Sequence, residues 1–207
     1  MPPKKIVTKQ QILQSALEIT REKGPDAVTA RSVAARLEVS THPIFSFYSS
    51  IAELKDDVVD QAREIYHHYI LTGLKENIPF LGIGHQFLKL ARQEPELFKL
   101  LFLNSSDGTT STVMDEFRFT LDLVVNSVMK IYNIDKPTAE CYYRNLWLMS
   151  YSFTTLIVTG NCPYTDEEMS DILSQASLSL YKAIKDIPGF FTNEFDKDLE
   201  FTKLINK

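Results

Sequence analysis

Apolar residues along this chain recur at steps of three and four, the spacing of one face of an α-helix. Prolines at 25, 43, 79, 95, 137, 163 and 188 punctuate that pattern, and no stretch alternates with the two-residue period of a strand. From Thr8 to Lys23 the spacing puts Ile12, Leu13, Ala16, Leu17 and Thr20 on one face, and Gly24 supplies the stop. A short helix is predicted behind Thr29, whose hydroxyl suits an N-cap; it carries Val33, Ala34 and Leu37 and ends near Glu38. Another short helix runs from Thr41 to Phe47, with Pro43 in its first turn, where a missing N–H costs little. Ser50-Ile51-Ala52-Glu53 then reads as a capping box opening a long helix striped with Leu54, Val58, Ala62, Ile65, Tyr66 and Tyr69, which would join two domains. Further helices are predicted at roughly 80–93, 96–104, 112–132, 138–159 and 166–186, with a loop at Asn104 to Thr109. The expected fold class is all-α. Its expected divisions are residues 1–50, residues 51–187, and a tail or short helix over 188–207.

Composition supports this and raises one conflict. With 44% hydrophobic and 24% charged residues the chain can bury a core, and only 7 Gly and 9 Pro leave too few turns for an all-β fold. The net charge of −5 argues against a nucleic-acid binder, whose footprint is normally basic. Division of the charges at residue 50 reverses that inference. Residues 1–50 hold 7 Lys/Arg against 4 Asp/Glu, a net of +3, so residues 51–207 hold 15 against 23, a net of −8.

Other chemistry finds little footing. The N-terminal Met1-Pro2-Pro3-Lys4-Lys5 lacks the apolar run of a secretory signal, so a cytoplasmic protein is expected. Asn145 to Thr165 carries no charge over about a bilayer's length, yet its Asn, Ser, Thr, Gly and Pro residues fit a helix buried between protein surfaces, and no membrane partner is expected. Cys141 and Cys162 form no disulfide framework, and adjacent His67 and His68 splay about 100° apart on a helix, so no metal is expected. Gly82-Ile83-Gly84 lacks the strand and third glycine of a dinucleotide loop, the carboxylates are scattered, and neither a cofactor nor a catalytic group is expected.

The pair of short helices between a packing helix and a long capped one has the form of a helix-turn-helix. Ile12-Leu13-Gln14-Ser15-Ala16-Leu17, Gly24, Val28-Thr29-Ala30-Arg31-Ser32-Val33-Ala34, Val39-Ser40 and Ile44-Phe45-Ser46-Phe47-Tyr48-Ser49-Ser50 with Glu53-Leu54 resemble the DNA-binding domain of TetR-family regulators. The resemblance covers about residues 8 to 55. It implies DNA contacts by Thr29, Arg31, Arg36, Ser40, Thr41, His42, Ser46, Phe47 and Tyr48. Thr29 would offer its hydroxyl and backbone N–H to a phosphate, Arg31 and Arg36 would pair with phosphates, and Thr41, His42 and Ser46 would meet base edges. Where the family usually has a turn glycine, a tyrosine, a histidine and a lysine, this chain has Glu38, Phe45, Phe47 and Ile51. Those departures weaken phosphate binding unless Lys4, Lys5 and Lys9 supply contacts from a flexible arm.

Residues 51–207 hold 20 of the 23 aromatics. The resemblance implies that this part senses a small-molecule effector and dimerises; Gln93-Glu94-Pro95-Glu96-Leu97-Phe98 is similar to a segment of one subgroup. A pocket is expected among Phe87, Phe98, Phe102, Phe117, Leu121, Tyr143 and Trp147. A homodimer surface is expected on two stripes: Ala139, Tyr142, Leu146, Ser150, Phe153 and Ile157, and Met169, Ile172, Leu173, Ala176, Leu180 and Ile184. The function so implied is a homodimeric transcriptional regulator, most simply a repressor released from a palindromic DNA operator by a small molecule. The alternative is a helical protein-interaction scaffold whose helix-turn-helix no longer binds DNA.

Overall fold

A computed structural model describes residues 6–103, 113–191 and 194–205, and among these residues it contains ten α-helices and no strand. They are α1 (Lys9–Lys23), α2 (Ala30–Leu37), α3 (His42–Phe47), α4 (Ile51–Gly73), α5 (Pro79–Gln93), α6 (Pro95–Phe102), α7 (Val113–Tyr132), α8 (Lys136–Val158), α9 (Asp166–Asp186) and α10 (Lys197–Ile205), with a 3₁₀ turn at Pro25–Ala27. The all-α expectation holds. The arm residues Lys4 and Lys5 and the loop at Asn104 to Thr109 lie outside the described residues. No helix among the described residues is long and apolar enough to cross a membrane.

Local chemistry sets the helix ends. Thr8, Thr29 and Thr165 each close a reciprocal capping box, and Asp135 caps α8 by accepting the Thr138 N–H. At α4 only half of the expected box forms. The Ser50 hydroxyl accepts from the Glu53 N–H at 3.2 Å, but the Glu53 carboxylate reaches past Ser50 to the backbone N–H and hydroxyl of Ser49, at 2.6 and 2.7 Å. Those bonds from Ser49 hold the Glu53 carboxyl below its ordinary range.

Two cores share helix α4. Its first half gives Leu54, Val58 and Ala62 to a core with Ile12, Ala16, Val28, Val33, Ile44 and Tyr48. Its second half gives Tyr66 and Ile70 to a larger core built on α5, α6, α7 and α8, rich in Phe87, Phe98, Tyr142, Tyr143 and Trp147. At its C-terminal end α4 packs tightly on α5. A side chain at Gly73 would fall within 3 Å of the Gly82 backbone, and one at Gly82 would strike the Gly73 carbonyl oxygen. Gly82 therefore has a packing role at a helix crossing, which explains its place in a segment that has no nucleotide loop.

The first core also takes a residue from beyond α4. Leu97 of α6 is 1% exposed and packs into it, while its neighbours Phe98 and Phe102 enter the larger core. Beside it, the Arg21 guanidinium of α1 donates two bonds to the Glu94 carboxylate, at 2.8 and 2.7 Å. The side chains are 34% and 16% exposed, so this pair is partly desolvated and holds α1 against the α5–α6 corner.

The stripe expected to face a partner on α8 is corrected. Ala139, Tyr142, Leu146, Ser150 and Phe153 are all buried within the chain, because α8 turns that face toward α5, α7 and α9. Ile157 packs against the same interior. On α9, Met169 is fully buried and Ile172, Leu173, Ala176, Leu180 and Ile184 are half-buried against α8 and its neighbours. The outer face of the two helices instead exposes Leu148 and Leu178, at 48% and 68%.

Replacing Leu97 with Ala removes a packed side chain from the first core although the residue belongs to the other half of the fold. The expected cost is about 2–5 kcal/mol of unfolding free energy. It is read as a lower urea midpoint with an unchanged slope.

Candidate nucleic-acid interface

Helices α1, α2 and α3 form a compact trihelical unit around Ile12, Ala16, Val33, Ala34 and Ile44. Helix α2 ends at Glu38, which caps it in the left-handed region at φ 57° and ψ 44°. A residue with a side chain pays about 1–2 kcal/mol there. The chain then turns through Val39 and Ser40 into α3, which has Thr41 at its N-cap and Pro43 in its first turn.

Helix α3 buries Ile44 and, just past its end, Tyr48, at 0% and 1% exposure. With about 100° between successive residues, His42 and Ser46 then lie on the ridge opposite Ile44, with Phe45 and Phe47 on its two flanks. All four are exposed, the phenylalanines at 51% and 45%. The Ser46 hydroxyl donates to the His42 carbonyl at 3.2 Å and keeps its lone pairs outward. Ser40 is exposed, and half-buried Thr41 makes no capping bond with its hydroxyl.

Thr29 and Arg36, expected to meet phosphates, are both engaged within the chain. The Thr29 hydroxyl accepts the Ser32 N–H at 3.1 Å, and the Thr29 N–H donates to the Ser32 hydroxyl at 2.9 Å. Ser32 in turn donates to the Ala27 carbonyl at 2.7 Å. The Thr29 N–H is therefore occupied, and the open donors of this helix start are the N–H groups of Ala30 and Arg31. Arg36 lies along α1, with bonds of 3.0 Å to Glu18 and of 2.9 and 2.7 Å to Glu22. Arg31 is exposed and makes no ion pair among the described residues.

Two further expectations are corrected. Tyr48 faces inward, donates its hydroxyl to Asp57 at 3.0 Å and packs beneath Lys9, whose Nζ is 4.9 Å from the ring centroid. Burial, and next the Asp57 carboxylate, push its phenol above the ordinary range, so it is a structural donor tying α3 to α4. Lys9 belongs to α1 rather than to an arm, and pairs with Asp57 at 2.8 Å. Ile51, where a cation is common in the resembling family, packs against the first core.

The second part of the chain contains an apolar cleft between α5, α8 and α9, lined by Phe80, Ile83, Phe87, Tyr143, Leu146 and Trp147, with Ser150, Ser170 and Ser174 at its polar side. The space within this partly open cleft is about 50 Å³. Of the seven residues expected to line a pocket, the structure brings Phe87, Tyr143 and Trp147 to this cleft. Phe98, Phe102 and Phe117 are interior packing residues, and Leu121 packs against the same core from α7. Rings of Phe87, Phe98, Phe102 and Trp147 touch one another, so three of the expected wall residues instead fill space behind the wall.

One polar cluster escaped the sequence reading. Glu116 of α7 is 4% exposed; it accepts from Arg63 Nε at 3.1 Å and lies 3.2 Å from His67 Nε2, both on α4. Nearby, the hydroxyls of Tyr66 and Tyr143 are buried without a hydrogen bond among the described residues. Burial raises both phenols above their ordinary range and keeps them protonated. The i, i+4 pair Arg63 and His67 was visible in the sequence, but its acidic partner lies 49 residues from His67 and no local pattern marks it. No group of three or more His, Cys, Asp or Glu side chains able to hold a metal occurs among the described residues.

A scan of protein-family models and a search of curated protein sequences find no match to this chain. Solved structures do match. A TetR-like transcriptional regulator from Rhodococcus sp. RHA1 superposes with a TM-score of 0.56 at 12% identity, over 84% of this chain and 97% of that one. A TetR-family member from Streptomyces coelicolor A3 superposes with a TM-score of 0.53 at 16% identity, over 81% of this chain and 96% of that one. Each alignment covers more than four-fifths of this chain and nearly all of the other, so the chain has a TetR-like fold.

Proposed function

We propose that the protein is a DNA-binding transcriptional regulator that works as a homodimer and answers to a small molecule. The observation that carries this reading is the trihelical unit itself. Its α3 is anchored inward by Ile44 and Tyr48 and turns His42, Phe45, Ser46 and Phe47 outward, and α2 of the same unit begins with open N–H groups at Ala30 and Arg31. That arrangement suits a reading helix in the major groove with a second helix start against a phosphate. The electrostatic contribution is small, because Arg21, Arg36 and Lys9 are committed to carboxylates of the chain. Two units joined by a twofold axis offset that weakness by reading two half-sites about 34 Å apart, or a multiple of it.

The dimer surface we assign is the outer face of α8 and α9 around Leu148 and Leu178, since their inner faces are used within the chain. The effector site we assign is the cleft between α5, α8 and α9. Its polarity fits a mainly apolar molecule, and a ligand of ordinary size needs several times its present space, so binding would widen it. Helix α5 forms one wall and continues through Glu94 and Pro95 into α6, whose Leu97 is embedded in the first core. Widening would therefore move the trihelical unit, and a coupling of about 1–3 kcal/mol would shift operator affinity by about 5- to 150-fold. The sign we favour is release of a repressor. The competing reading, a scaffold that no longer binds DNA, draws on the internal pairing of Arg36 and on Phe45 and Phe47 in place of phosphate-seeking side chains.

Full-length protein offered a random duplex library at low salt is expected to enrich particular sequences, with affinity falling steeply as salt rises. Arg31→Ala should weaken binding to all duplexes alike and reduce the slope of log K against log salt by about one. Absence of binding to any duplex at low salt supports the scaffold instead. For assembly, Leu178→Asp together with Leu148→Asp should raise the dimer dissociation constant at least about tenfold in sedimentation while the folded monomer persists, since both side chains are exposed in the monomer. A dimer unmoved by both changes would place the interface elsewhere.

A further inference from the structure

We infer that the outward surface of α3 reads thymine methyl groups, so that the preferred half-site is defined by thymine positions. This rests on the DNA-binding reading above and adds the chemistry by which bases are distinguished.

Helix α3 is His-Pro-Ile-Phe-Ser-Phe, and it contains no Arg, Lys, Asn or Gln. Those are the side chains that make two-pronged hydrogen bonds to the edge of guanine or adenine. What the helix presents instead is a polar ridge, His42 and Ser46, between two exposed phenyl rings. Neither ring has a place in the core: Phe45 and Phe47 are 51% and 45% exposed on a unit whose other large apolar side chains on this helix are buried. Neither takes part in a ring contact among the described residues. The exposed half of each phenyl ring is an energetic cost in the free protein, and it is recovered when that part meets an apolar partner.

In the major groove the apolar feature of a base edge is the C5 methyl group of thymine, and phenylalanine is among the side chains that contact it. Placed ridge-first in the groove, α3 would direct His42 and Ser46 to hydrogen-bonding base atoms. It would also place Phe45 about 80° and Phe47 about 120° from that ridge, on opposite sides of it, so that Phe45 faces the base edges more directly than Phe47. Each flank then selects thymine by shape and burial, with no hydrogen-bond requirement. A surface built in this way discriminates thymine from cytosine and from uracil by the methyl group alone.

Uracil provides a direct test, since it keeps every hydrogen-bonding atom of thymine and lacks the methyl. Duplexes enriched by the full-length protein from a random library are remade with deoxyuridine at each thymine of the half-site in turn, and binding is measured by fluorescence anisotropy. At two or more positions per half-site the uracil duplex is expected to bind roughly fourfold more weakly, the factor that burial of one methyl carries. Phe45→Ala and Phe47→Ala, each expected to stay folded with a modestly lowered melting temperature because about half of the ring is covered, should each weaken binding and abolish the thymine preference at its own position. Equal binding of thymine and uracil duplexes, enrichment of half-sites without thymine, or a preference unchanged in both alanine variants would each overturn the inference. If no duplex is enriched at all, the DNA-binding reading fails with it, and that outcome is distinct from the other three.

Discussion

Helix α4 is buried in two places by two different sets of neighbours, and this ties the trihelical unit to the helical body. Its apolar stripe runs without a break from Leu54 to Ile70, so neither core can form without positioning the start of the other. Leu97 reinforces the link from α6, and the Arg21–Glu94 pair closes it on the α1 side. The trihelical unit is thus held to the helical body at three points on one side, by α4, by a buried leucine and by a partly desolvated ion pair. Interfaces that are packed in this way move between discrete arrangements rather than bending continuously. Under the proposed function, a change in the α5–α8–α9 cleft would reach α3 through these packed contacts, with no flexible hinge required.

The same contacts consume the positive charge of the N-terminal unit. Its +3 was counted from seven cations, of which Lys9, Arg21 and Arg36 lie against Asp57, Glu94, Glu18 and Glu22 in the folded chain. Rigidity was obtained at the expense of field strength. Under the proposed function, a DNA reader with so little net charge would gain less from counterion release than a basic domain does, and would depend correspondingly on shape, on apolar contact and on a second copy. The exposed Phe45 and Phe47 belong to this logic, since burial of apolar surface is insensitive to the charge that the unit has spent internally.

Much of this architecture was legible in the chain, for local reasons. Helix starts at Thr8, Thr29, Ser50, Asp135 and Thr165 are set by side chains within three residues of the bonds they make, and the apolar stripes of α1 and α4 are periodic within one element. The candidate reading surface was legible in part: His42 and Ser46 emerge where the pattern put them, whereas Tyr48 turns inward because its hydroxyl meets Asp57 one helix later. The misassigned stripe of α8 has a general cause. Periodicity identifies a face that must be buried, but it does not say whether the same chain or a second one buries it, and α5 and α9 were already there. The pocket residues Phe98, Phe102 and Phe117 failed likewise, since an aromatic that lines a cleft and one that fills the space behind it have the same sequence signature. The Arg63–Glu116–His67 cluster and the Arg21–Glu94 pair were invisible because their partners lie 49 to 73 residues apart.

The central claim is that one trihelical unit on each of two symmetry-related chains reads DNA. Hydroxyl-radical footprinting of the full-length protein on an enriched duplex tests it most directly. The account predicts two protected blocks related by the dyad of the site, on one face of the duplex and one helical turn or a multiple of it apart, about 34 Å per turn. A single protected block, or a duplex left evenly cleaved at saturating protein, would contradict it.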